Sequence, residues 1–192
     1  MTIFLILAPY GAFALLMLVA SSAASLFTGA AICLAVIAYD IAGGRSIKIL
    51  GAGSVAVFSA VGGYVTLIDP HLGVSAVKFS VDTGIFLVTL GSIVIGKPFT
   101  LQYAREMVDA ETAKYPGFIK ANYMIAWAWT LSMLLMMAGN MALIYVPALP
   151  LWSGLMIAFA ARNSAVYFTK WYPEYRKAKD GTPPADAMSD TH

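Results

Sequence analysis

The sequence predicts an all-α, polytopic membrane protein, and three observations carry that expectation. Only 11% of its 192 residues are charged, against roughly 25% in a soluble domain. Mean hydropathy is +0.77. The apolar residues also gather into runs near the roughly 20 residues that a helix needs to cross hydrocarbon. Hydrocarbon solvates neither ions nor unpaired peptide groups, so spanning segments are helices or closed barrels. Runs this long, without period-2 alternation, exclude the barrel.

Six apolar segments follow one another at about Thr2–Ser22, Leu26–Ala42, Ile47–Ile68, Val74–Ile95, Ile119–Val146 and Leu149–Lys170. The first lacks a basic leader and reads as a retained span. Pro9 and Gly11 are expected to kink it, because proline removes a backbone hydrogen bond. The second is short, so the first pair can form a tight hairpin. In the third, Ala52, Ala56 and Ala60 recur every four residues, and Ser59 and Gly63 repeat the spacing. Small residues let helices approach closely in lipid, which places this span at the bundle centre.

Every basic residue except Lys78 and Arg162 lies on alternate connections or the C-terminal tail, and the connections at 22–26, 69–73 and 146–150 carry none. The positive-inside rule therefore gives six crossings with both termini cytoplasmic. Tyr145 and Trp152 mark the outer boundary; Trp171, Tyr172 and Tyr175 mark the inner one. Between the fourth and fifth spans, "GKPFTLQYAREMVDAETAKYPGF" reads as a cytoplasmic interfacial amphipathic helix over 98–116. Its apolar face is Phe99, Tyr103, Met107 and Ala110. Gln102, Arg105, Glu106 and Asp109 point away and form a candidate partner surface. The chain is thus one transmembrane domain, 1–177, followed by a polar tail, 178–192, whose composition suits disorder.

Polar residues within the spans are the candidates for function, because an ionisable group at membrane depth costs about 2.5–3.5 kcal/mol on insertion scales. Lys78 and Asp82 share a face of the fourth span, either on an ion or proton path or as an interfacial pair with Lys78 snorkelling to water. Arg162 lies in the last span with Asn163 nearby. It either snorkels inward, paired with Asp40 at the end of the second span, or meets a buried anion or lipid headgroup. Asn140 suits an interhelical hydrogen bond. Met133, Met137 and Met141 read as adaptable packing, and the Asp69–His71 pair as turn chemistry.

A single cysteine, Cys33, excludes an intrachain disulfide, and two histidines leave little for a metal cage. The net charge of +2 gives no nucleic-acid footprint. No phosphate-binding, dinucleotide, nucleophile-elbow or metalloprotease motif is present, so neither catalysis nor a cofactor is expected.

The "GKPF" that ends the fourth span, the "ANYMIAWAW" after the amphipathic segment and the "GNMALIYV" towards the end of the next span together resemble the boxes of the bacterial intracellular septation protein A family. Gly96, Lys97 and Pro98 match its first box, Asn122 and Trp127 its second, and Gly139 and Asn140 its third. Lys78 falls where the family carries a lysine. The match runs from Lys78 to Tyr145. Phe99 replaces an expected aliphatic residue, and "YAREMVDAETAKYP" is longer and more charged than the family's segment. The resemblance implies a non-enzymatic inner-membrane protein of cell-envelope or septation processes, acting through protein or lipid partners; a homo-oligomer is a separate expectation. The intramembrane charges support a different expectation, a small ion or solute channel or transporter using Asp82, Lys78 and Arg162. An accessory subunit of a larger membrane complex is the third.

Overall fold

A computed structural model describes residues 3–146 and 148–179, and every regular element among them is helical. In chain order these are α1 (Ile3–Leu16), α2 (Ser22–Ala42), α3 (Ile49–Leu67), α4 (Val74–Val94), α5 (Phe99–Ala104), one 3-10 turn at Thr112–Lys114, α6 (Pro116–Tyr145) and α7 (Leu151–Lys179). Four of the described helices, α2, α3, α4 and α6, are long and apolar enough to cross a membrane. Leu34, Leu87, Leu131 and Phe159 are each more than half exposed on the outside of the bundle. Lipid solvates such a surface and water does not, as befits a multi-pass membrane protein.

The two remaining long segments fall short of the criterion for different reasons. α1 has 14 residues, about 21 Å at 1.5 Å per residue, against a hydrocarbon core of about 30 Å. α7 has 29 residues, but Arg162, Asn163 and its basic end dilute its hydropathy. α2 is longer than its apolar run suggests. The small residues before Leu26 are helical, and the Ser21 hydroxyl oxygen accepts the Ala24 N–H at 3.2 Å as an N-cap. α1 continues as helix through Pro9.

Neighbouring long helices pack in sequence order, α1 on α2, α2 on α3, α3 on α4, α4 on α6 and α6 on α7. α3 and α4 form the middle of this series, but the small-residue stripe expected to seat α3 there is not what does so. Its stripe of Ala52, Ala56, Ser59 and Ala60 faces outward. The buried face instead carries Leu50, Ser54, Phe58, Gly62 and Val65. The alanine spacing was a sound helical pattern, but the large Phe58 takes the inward position.

Close approach is achieved by glycines used reciprocally. Between α3 and α4, a Cβ on Gly53 would lie 2.5 Å from Val88, and one on Gly84 would lie 2.6 Å from Val57. Gly29 faces Phe58 while Gly62 faces Phe27 across α2 and α3. Gly139 faces Ile157 while Gly154 faces Leu143 across α6 and α7. Each helix inserts a large side chain where its neighbour has none, which maximises contact where the hydrophobic effect gives little.

The amphipathic helix expected over 98–116 is broken into pieces. Gly96, at φ +74°, ends α4, and Pro98 precedes the short α5. The Phe99 N–H donates to Ser92 Oγ at 3.1 Å, and the Thr100 hydroxyl to the Asn122 carbonyl at 2.7 Å. Phe99 and Leu101 are buried, so this segment plugs the end of the bundle instead of lying on its surface. Asp109 then accepts from the Glu111 and Thr112 N–H groups and the Thr112 hydroxyl, replacing helix with an Asx-type turn. Those donors hold its exposed carboxyl below the usual carboxylate range. The tail expectation is also shortened: α7 reaches Lys179, and 180–192 lie outside the described residues.

Candidate binding cleft

Two groups of polar residues stand out, one at each half of the bundle. At the end closed by α5, Gly44 adopts φ +70° after α2 and turns the chain back. Arg45 Nε then donates to Asp40 Oδ1 at 2.9 Å, with the guanidinium over the Tyr39 ring. Lys48 Nζ lies 2.6 Å from Glu106 Oε1 and 3.6 Å from Asp40 Oδ2, and also donates to the Ser46 carbonyl. Lys48 and Asp40 are 2% and 3% exposed, so these charges require one another. Gln102 Oε1 accepts the Ile49 N–H at 2.8 Å, satisfying a free donor at the start of α3.

The expected partnership of Asp40 with Arg162 is therefore replaced by Arg45 and Lys48. Of the residues proposed as a partner surface, Gln102 and Glu106 bind the start of α3, whereas Arg105 and Asp109 are exposed. Lys48 was legible only as one more basic loop residue. Its burial depends on Glu106, 58 residues away, and no local pattern signals that contact.

The second group lines a cleft of about 390 Å³ between α1, α4, α6 and α7, floored by α5. Asp82, Lys78, Asn140 and Arg162 all face it. Asn140 Nδ2 donates to Asp82 Oδ2 at 2.7 Å, joining α6 to α4. Lys78 lies one helical turn before Asp82 on α4, and Arg162 lines the same cleft from α7. Among the described residues neither cation forms an ion pair within 4.0 Å, unlike the paired Lys48. Arg162 lies about 16 Å along α7 from Leu151, near mid-length, by the rise of 1.5 Å per residue. Asn163 stands apart: it is exposed, and its amide donates to the Phe159 carbonyl.

The rest of the wall is apolar or internally satisfied, apart from the Tyr103 hydroxyl, which has no hydrogen-bond partner among the described residues. Val81, Ile85, Ile125, Trp129, Met133 and Met136 contribute its greasy middle. Thr89 donates to Phe86 O, Asn122 to Phe118 O and Thr169 to Ala165 O, each a carbonyl of its own helix. Trp129 Nε1 donates to Thr169 Oγ1 at 2.9 Å, tying α6 to α7. Tyr10 shares a hydrogen bond with Ser54, whose hydroxyl already donates to the Leu50 carbonyl, so the phenol is the donor. Sequence reasoning found Asp82, Lys78, Arg162 and Asn140 one by one. It had no means of joining Asn140 to Asp82, and it did not single out Tyr10. Among the described residues no group of three or more His, Cys, Asp or Glu could hold a metal ion.

Compared with protein families, with curated proteins and with solved structures, the chain matches none. The class that the fold and the cleft define is therefore as far as comparison goes: a small helical membrane protein with a charged internal site.

Proposed function

We propose that the chain is a six-span protein of a bacterial inner membrane, with cytoplasmic termini, that binds a charged solute in the cleft and carries it across without chemical turnover. The observation behind this reading is the gathering of Asp82, Asn140, Lys78 and Arg162 from three helices onto one apolar-walled cleft. Charges at this depth are expensive unless they meet a partner or a substrate. The six-span topology draws support from Arg45, Lys48, Lys97, Arg105 and Lys114, which lie on the two connections at the α5 end.

Translocation of protons, sodium, potassium, chloride and long-chain carboxylates into proteoliposomes tests the proposal. One of these is expected to move with wild-type protein, and about tenfold more slowly with Arg162→Gln, as losing one charge contact to the solute implies. No movement of any of them would sink the transport reading.

A second reading, a scaffold related to septation protein A that acts through partners, draws on the exposed Arg105 and Asp109. Deleting 98–116 would confound its test, because Gln102 and Glu106 brace α3. Arg105→Glu is the cleaner variant. Unchanged crosslinking to neighbouring membrane proteins in cells would count against the scaffold.

A further inference from the structure

We infer that the occupant of the cleft is an amphiphile with one apolar chain and a monoanionic head, held at the head by Arg162 and Lys78. The inference rests on the reading of the cleft as a substrate site, and adds the chemistry of the substrate. Its first support is charge. Arg162 and Lys78 are two cations facing one carboxylate, and that carboxylate already accepts the Asn140 amide. The lining therefore carries one positive charge in excess, which a monoanion would balance. A guanidinium offers a planar fork of donors suited to carboxylate or phosphate, and these are unspent among the described residues.

Shape is the second support. The lining extends from Gly154 to Pro173 on α7, about 28 Å at 1.5 Å per residue, yet encloses only about 390 Å³. That volume is near the small end of the roughly 300–1,000 Å³ typical of ligand sites, so the space is long and narrow. One extended chain fits such a space better than a compact solute or a two-chain lipid.

Third, beyond Arg162 the Tyr103 hydroxyl is the one polar side chain of the wall, among the described residues, without a hydrogen bond. Thr89, Thr100, Asn122 and Thr169 each donate to a backbone carbonyl, leaving Ile85, Phe99, Ile125 and Met133 to meet the chain. A small hydrated anion would gain only that hydroxyl from this half of the cleft.

Trp129 lines the cleft and is 7% exposed, whereas Trp127, Trp152 and Trp171 face outward. Replacing those three by phenylalanine in the full chain leaves one reporter inside. In nanodiscs of neutral phosphatidylcholine, dibromostearate is expected to quench Trp129 saturably. Its methyl ester should need about tenfold more, the loss of one charge-assisted contact. Arg162→Gln should bring the acid to the level of the ester, and Arg162→Lys should restore part of the difference. A brominated single-chain alkyl methyl phosphodiester, also a monoanion, distinguishes phosphate from carboxylate heads, and either preference over the ester supports the inference.

Equal quenching by acid and ester would overturn it, as would preference for a brominated alkylammonium, which would make Asp82 the anchor of a cation site. Displacement of the bromolipid by chloride or inorganic phosphate alone would also overturn it, in favour of a simple anion site. Saturable binding of the acid without its translocation would remove the transport reading and leave the occupant standing. Ion flux without acid binding would do the reverse.

Discussion

Replacing Lys48 with methionine is expected to cost about 3 kcal/mol of folding stability, the lower end of the range for removing one partner of a buried ion pair. The lysine ammonium lies between Glu106 and Asp40 and is 2% exposed. Without it, two carboxylates share a site from which water is largely excluded. Two features keep the cost from being larger: Arg45 still pairs with Asp40, and the Glu106 side chain is 21% exposed and can recover some hydration. Reversible unfolding in mixed micelles, followed by tryptophan fluorescence, measures the effect. Adding Glu106→Leu should recover much of the loss, because an apolar replacement of both partners is often close to neutral. A shift below about 0.5 kcal/mol, the ordinary effect of a surface substitution, would mean that water reaches the cluster. Since Glu106 and Gln102 hold α5 against the start of α3, the same variant should also loosen the floor of the cleft.

The second large effect concerns the α3/α4 interface. Gly84→Ala should destabilise the protein by about 1–3 kcal/mol, the usual cost of overpacking, because the new methyl would sit 2.6 Å from a Val57 methyl. Val57→Ala opens the space and should return most of that stability in the double variant. Gly63→Ala provides the contrast. Nothing lies within 4 Å of its would-be Cβ, so there the better helix propensity of alanine should add about 0.5–1 kcal/mol. Thermal unfolding of the set in one detergent checks all four proteins. Failure of Val57→Ala to relieve Gly84→Ala would mean that the two helices are not in the register described.

Much of the fold was legible because hydrocarbon imposes a simple filter. The apolar runs gave α2, α3, α4 and α6 nearly in place, since charge is costly there and a helix satisfies its own backbone. The connection 96–116 was harder. Its apolar spacing matches a helix, yet Asp109 captures local N–H groups and Phe99 is drawn into the bundle. Tertiary contact overrode periodicity. The same happened in α3, where the alanine stripe had the right period but lost the inward face to Phe58.

By itself, the sequence determined that this chain is helical and membrane-embedded, and that Lys78, Asp82, Arg162 and Asn140 are unusual in their setting. Those conclusions follow from the local cost of placing each residue in lipid. Only the tertiary structure decided which charges meet. It assigned Asp40 and Glu106 to Lys48, paired Asp82 with Asn140, and left Arg162 facing a narrow apolar cleft. Hydropathy and periodicity constrain each helix separately. The rotation of one helix against another is fixed by side-chain volumes across the interface, such as glycine facing valine, and one helix's sequence cannot specify that alone.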